Sequence, residues 1–152
     1  MLWLCFLALF SSVEYQAPMP GEGNNCLLPA ERERLQREPK LDNRIKIYDE
    51  ANKRCEAELT KLVQGGETQP VSNLLKQWIS LLESSKKDID ESKTRKDKSK
   101  ALIRYEIHLR KSISTVQEAK LKSQVEQLEE FESWLTRAEK VHSAFVAALF
   151  PK

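Results

Sequence analysis

Four apolar stripes with helical spacing constrain the fold of this chain more than any other feature of its sequence. In each stripe, side chains of one face recur every three or four residues, as in the a/d seam of a heptad repeat. The first stripe comprises Leu41, Ile45, Tyr48, Asn52, Cys55, Leu59 and Leu62. A helix with one apolar face must pack that face against other helices, so the pattern predicts an all-α protein.

The other three stripes follow along the chain with the same spacing. The second comprises Val71, Leu74, Leu75, Trp78, Leu81, Leu82, Ser85 and Ile89. The third comprises Leu102, Tyr105, Leu109, Ile113 and Val116. The fourth comprises Leu128, Phe131, Trp134, Leu135, Ala138, Val141, His142, Phe145 and Leu149. We therefore predict an antiparallel bundle of three to four long amphipathic helices, in which short connections make consecutive helices neighbours.

The boundaries between the stripes rest on different signals. Gly65, Gly66 and Pro70 end the first helix before the second begins. The third stripe is rotated by about 220° from the second on a continuous helix, so a turn is expected at residues 93–97.

Residues 98–149 contain neither glycine nor proline. A single helix over this range would be about 78 Å long and could not bury its stripe alone, so we expect a hairpin. Ser123 and Glu126 have the spacing of a capping box, which predicts that the last helix begins there.

The N-terminal region differs from the rest in composition. Residues 2–10 form an uncharged apolar run of signal-peptide length, and we interpret residues 1–17 as an export signal, although bulky Tyr15 precedes the expected cleavage after Ala17. The protein is then periplasmic or extracellular, and cytoplasmic if the run is not a signal. Residues 18–39 hold four of the six prolines and two of the four glycines, which predicts a linker with a short helix beginning at Pro29. Residues 40–152 form the predicted bundle.

Composition and motifs argue against several classes of function. The chain is 40% hydrophobic and 32% charged, which is typical of folded amphipathic helices rather than of a disordered protein. Its 25 basic and 23 acidic residues nearly balance, so net charge does not favour nucleic acid or membrane as a partner. The chain has no glycine-rich phosphate loop and no nucleophile-elbow motif, and we predict a protein that is not an enzyme.

A second apolar flank on the third helix suggests a protein interface. Ile103 and Ile107, with Leu121 as a further candidate, lie beside the third stripe, where a compact bundle need not cover them. Asn52 interrupts the first stripe, and a polar seam residue either pairs with a buried polar group or points at a helix–helix interface. The leading hypothesis is a non-enzymatic exported bundle that binds a protein partner or a second copy of itself, with no small-molecule substrate.

A basic segment supports an alternative function. Residues 93–111 carry eight basic and two acidic side chains, with Lys96, Lys100 and Arg104 at i, i+4 spacing. Such a surface can bind an anionic membrane or nucleic acid. It can also be a solvated helix face that balances the acidic start of the next helix.

The third hypothesis is a metal- or haem-binding bundle. Glu139 and His142 form an E-x-x-H step, which places a carboxylate and an imidazole on adjacent helix faces. His108 and Cys55 would have to complete the ligands, but the second E-x-x-H step that di-iron bundles use is absent. We therefore predict no cofactor, and we interpret His142 as a core imidazole hydrogen-bonded to a neighbouring helix.

Cys26 and Cys55 are the two cysteines outside the apolar N-terminal run. They can form a disulfide between the linker and the first helix, contribute to a metal site, or remain free thiols. The position of Cys55 on the first stripe favours burial, and disulfide formation requires Cα atoms within about 7 Å. The prediction is a free, buried Cys55 and an accessible Cys26.

Overall fold

The computed structural model of the protein describes residues 26–152 and confirms an all-α helical bundle over them. The predicted export signal and the start of the predicted linker lie outside this range. A short helix, α1 (Pro29–Arg37), is followed by four long helices: α2 (Leu41–Gln64), α3 (Thr68–Glu91), α4 (Lys100–Leu121) and α5 (Leu128–Leu149). Each long helix buries the stripe expected of it.

The helix boundaries agree with two of the three sequence signals. Helix α2 ends at Gln64, and Gly65 is its C-cap residue. Gly66 adopts a positive φ of 69°, a conformation that glycine accommodates without steric cost. Residues 92–99 form the connection expected between the second and third stripes. At its end, the Ser99 hydroxyl accepts a hydrogen bond from the Leu102 N–H and so caps α4.

The hairpin between α4 and α5 is confirmed, but the predicted capping box is wrong. Ser123 does not begin the last helix, because its hydroxyl donates a hydrogen bond to the Lys120 carbonyl at the end of α4. A 3₁₀ turn (Val125–Gln127) follows, and α5 begins at Leu128. The Gln127 side chain donates to the Thr68 carbonyl, which fixes the turn against the start of α3.

The arrangement of the helices differs from a simple antiparallel series. Consecutive helices are antiparallel, but α2 and α4 are parallel neighbours, as are α3 and α5. Hydrogen bonds between α2 and α4 keep a nearly constant sequence separation, 59 for Asp49 with His108 and 60 for Asn52 with Ser112, as parallel packing requires. Two hairpins, α2–α3 and α4–α5, therefore lie side by side, and residues 92–99 cross the end of the bundle diagonally.

Two aromatic pairs lie in the core: Trp78 with Trp134 joins the two hairpins, and Tyr105 with Phe145 joins α4 to α5 within one hairpin. The rings of Trp78 and Trp134 are 4.6 Å apart and tilted, and those of Tyr105 and Phe145 are 5.0 Å apart. All four side chains are buried. Tilted ring pairs at these distances stabilise a core by about 0.5–1.5 kcal/mol beyond their buried area.

Asn52 lies inside this core and not at a surface. Its Oδ1 atom accepts a hydrogen bond from the Trp78 indole N–H at 2.8 Å, and its Nδ2 atom donates to the Ser112 hydroxyl at 3.1 Å. The Ser112 hydroxyl donates in turn to Glu56 at 2.6 Å. The proposal that Asn52 contacts a binding partner is wrong, because its hydrogen bonds are satisfied by α3 and α4. Its pairing with buried polar groups is confirmed.

The prediction of free thiols is also wrong, because Cys26 and Cys55 form a disulfide. Their Cα atoms are 6.7 Å apart, since α1 folds back along α2. Arg54 holds this arrangement: its guanidinium binds both carboxylate oxygens of Glu31 at 2.8 and 2.6 Å and reaches the Cys26 carbonyl at 3.4 Å. Burial of Cys55 is confirmed, but a buried position did not prevent the bond.

No helix within residues 26–152 is both long enough and apolar enough to cross a membrane.

Candidate protein-interaction site

Two isoleucines on α4 are exposed beside its buried face. Leu102, Tyr105 and Leu109 fill the core, whereas Ile103 and Ile107 are 42% and 47% exposed. This agrees with the second apolar flank predicted for this helix. The two isoleucines are four residues apart, so they lie one above the other on the same side of α4.

Helix α5 adds two further apolar side chains to this surface. Its register against α4 is set by His142 Nε2, which lies 2.7 Å from Glu106 Oε1. In an antiparallel pair, the residue one turn before Glu106 and the residue one turn after His142 lie at the same level. These residues are Ile103 and Val146, and Phe150 follows directly after the last residue of α5.

We call Ile103, Ile107, Val146 and Phe150 the α4–α5 stripe. Val146 is 36% exposed and Phe150 is 73% exposed. The stripe runs from the exposed side of α4 to the end of α5, near the C-terminus. Sequence reasoning did not identify Val146 and Phe150 as surface residues. The available signal was that the last turns of α5 carry more apolar residues than one buried face requires.

The two histidines form hydrogen bonds with carboxylates on neighbouring helices. His142 binds Glu106 of α4, and His108 Nδ1 lies 2.7 and 2.9 Å from the two carboxylate oxygens of Asp49 on α2. Arg110 also approaches Glu106, at 3.6 Å. The predicted bond of His142 to a neighbouring helix is present, but its side chain is 25% exposed and so the imidazole is not in the core. These bonds link α4 to both of its neighbours and fix the register on which the stripe depends.

The structure does not bring the proposed metal ligands together. His142 and His108 bind carboxylates on opposite sides of α4, Glu139 is exposed, and Cys55 is in the disulfide. No cluster of three or more His, Cys, Asp or Glu residues suited to a metal ion occurs within residues 26–152.

The predicted basic stripe of Lys96, Lys100 and Arg104 does not form along one helix. Lys96 precedes the Ser99 cap and lies in the connection, where its ammonium group donates to the Asp90 carbonyl. Lys100 and Arg104 lie on the first turns of α4 and line a groove opposite the carboxylates of α2. The binding of an anionic surface by these residues stays a prediction.

A cleft lies where the connection between α3 and α4 meets the end of α5. It has a volume of about 720 Å³ and is lined by side chains of both charges and by alanines of α5. Ion pairs within it join Lys86 to Asp90 and Arg95 to Asp97. Lys93 and Lys96 also line the cleft, so its charged side chains are four basic and two acidic.

Comparisons of the chain with protein families, with curated proteins and with solved structures found no match.

Proposed function

We propose that the chain is a non-enzymatic exported protein that acts by binding another protein through the α4–α5 stripe. The observation that carries the proposal is the exposure of four apolar side chains on the outer side of α4 and the end of α5, namely Ile103, Ile107, Val146 and Phe150. Apolar residues scattered singly on a surface are ordinary, but a contiguous patch of a few hundred Å² often marks a binding site. The rigid register of α4 and α5 holds the patch in shape before a partner arrives.

The disulfide supports export. Structural disulfides persist in oxidising compartments and are rare in the cytosol. The bond between Cys26 and Cys55 therefore agrees with the interpretation of residues 1–17 as an export signal. Both cysteines follow the expected cleavage position and would remain in the mature chain.

Site-specific photo-crosslinking in the native cells tests the proposal. We would replace Ile107 with p-benzoylphenylalanine and use Val125, which is 78% exposed at the opposite end of the molecule, as the matched control position. The expected result is a discrete crosslinked protein from position 107 and none from position 125. Equal labelling at both positions, or none at 107, would contradict a binding role for the stripe.

A further inference from the structure

We infer that the partner segment bound by the α4–α5 stripe is an amphipathic helix with an acidic flank. This inference rests on the proposed function and specifies the chemistry of the partner. Two properties of the α4–α5 stripe support this inference: its length and the charge along its α4 edge.

The dimensions of the stripe suit a single helix. From Ile107 to the level of Phe150 the stripe extends over about two helical turns, or roughly 12 Å. Apolar anchors at positions i, i+4 and i+7 of a bound helix span about the same length. A stable homodimer buries about 800 Å² on each copy, more than four partly exposed side chains provide. A helical segment therefore fits this surface better than a second copy of the chain.

The charge of the α4 edge selects an acidic helix. Three exposed basic side chains lie about 40–80° around the α4 axis from the two isoleucines, on the side turned away from α5. They are Lys100, Arg104 and Lys111. Lys111 lies 3.9 Å from Glu56, and the carboxylates of α2 lie across a groove from Lys100 and Arg104. Within residues 26–152, Lys100 and Arg104 form no direct ion pair with a carboxylate.

The α5 edge at the same level carries Ser143 and Ala147, which are uncharged. A helix bound on the α4–α5 stripe would therefore have cations along one side only. Opposite charges at the rim of an interface favour association and select the partner. Carboxylates on the flank of the bound helix that faces α4 would complement this edge.

Two synthetic peptides test the inference. They carry identical leucine and phenylalanine anchors on one helical face and differ only in the flank, which is glutamate in one and lysine in the other. Fluorescence anisotropy with the full disulfide-bonded chain should give a Kd about tenfold lower for the glutamate peptide at low salt, with the preference shrinking as salt rises.

Three variants locate the binding. Charge reversal at Lys100→Glu and Arg104→Glu together should weaken the glutamate peptide about tenfold and remove the preference. Reversal at Lys61→Glu and Lys87→Glu, two exposed positions on α2 and α3, changes the net charge equally and should have no effect. Ile103→Ser with Ile107→Ser should abolish binding of both peptides, and circular dichroism would verify that this variant is folded.

Four other outcomes would each contradict a specific part of the proposal. Equal binding of both peptides through the isoleucines would refute the acidic partner and leave the proposed function intact. Self-association in sedimentation velocity that Ile103→Ser removes would make a second copy the occupant. Binding to vesicles of anionic lipid that requires Arg104 but not Ile103 would indicate a membrane surface. If neither peptide binds and position 107 yields no crosslink, the proposed function fails as well.

Discussion

Asn52 joins three helices through one buried side chain. It accepts a hydrogen bond from Trp78 on α3 and donates one to Ser112 on α4. A polar group at a seam position costs desolvation, and the hydrogen bonds recover that cost only if the partner groups stay in place. The residue therefore specifies which helices lie next to α2, more than it adds to the stability of the core.

Replacement of Asn52 by leucine should destabilise the bundle by about 2 kcal/mol, because the Trp78 indole N–H loses its acceptor in the core. Urea unfolding measures the change, with Ser114→Ala on the exposed face of α4 as a control that stays within about 0.5 kcal/mol of the wild type. In the background of Trp78→Phe, which has no N–H group, Asn52→Leu should cost less. Strict additivity of the two substitutions would show that this hydrogen bond is not the source of the effect.

Two buried tyrosines predict a loss of stability at alkaline pH. Burial raises the pKa of Tyr105 above its ordinary value of 10.0. Burial, followed by the nearby Asp88 carboxylate, raises the pKa of Tyr48 to about 12. Both side chains are protonated in the folded and unfolded states below pH 10, so they confer no pH dependence there. Above pH 10 the unfolded chain releases protons that the folded chain retains, and the free energy of unfolding falls.

For each of these tyrosines the decrease should approach about 1.4 kcal/mol per pH unit between its unfolded and folded pKa values. Lysines also titrate in this range, so the informative quantity is the stability difference between the wild type and Tyr105→Phe. The difference should shrink as the pH rises above 10, because only the wild type loses the contribution of Tyr105. A difference that stays constant with pH would refute the assignment.

At the level of elements, α1 depends on contacts with α2. The Cys26–Cys55 disulfide and the ion pair between Glu31 and Arg54 hold the two helices together. Leu35 also packs into the core. A helix of nine residues is too short to be stable alone in water, so α1 should separate when these attachments are removed.

Cys26→Ser should therefore expose α1 while α2 to α5 remain folded. Hydrogen exchange should become rapid at the amides of α1 and stay slow in the centres of the long helices. Loss of the cross-link, which spans a separation of 29 residues, also lowers the free energy of unfolding by about 3.6 kcal/mol in the chain-entropy description. Adding Glu31→Gln should increase α1 exchange further, whereas Glu50→Gln, an exposed control on α2 that forms no ion pair within residues 26–152, should not. Persistent protection of α1 would contradict this dependence.

The sequence predicted the elements better than their arrangement. The apolar period identifies which side of a helix is buried, and it located all four long helices. It does not identify which helix that side faces, so the parallel pairing of α2 with α4 could not be anticipated. The disulfide was missed for a similar reason: its formation depends on α1 folding back onto Arg54, a long-range contact with no local pattern.

The surface was predictable only in part. Ile103 and Ile107 were identified because they depart from the buried stripe of their own helix. Val146 and Phe150 join them through the register between α4 and α5, which the bond between Glu106 and His142 sets. Lys96 was misplaced because the Ser99 cap, rather than the charge pattern, determines where α4 begins.

For the whole molecule, the proposed export predicts a defined mature form. Mass spectrometry of the protein recovered from its own cell fractions should find it outside the cytoplasm, with a new N-terminus near residue 18. Its intact mass should be lower than that of the reduced chain by the two thiol hydrogens of Cys26 and Cys55. Recovery of the complete chain from the cytosol with both thiols reduced would refute export.

Because residues 92–99 cross the bundle diagonally, the molecule consists of two helical hairpins joined by one connection. The interhelical contacts between the hairpins do not depend on both belonging to the same chain. An extended connection would let two chains exchange their α4–α5 hairpins and rebuild the same core twice, as a domain-swapped dimer. The diagonal of a four-helix bundle is about 13 Å at ordinary interaxial distances. If the connection were too short to span this diagonal, the two hairpins could pack together only by exchange between two chains. The length of residues 92–99 therefore allows both hairpins of one chain to form the bundle.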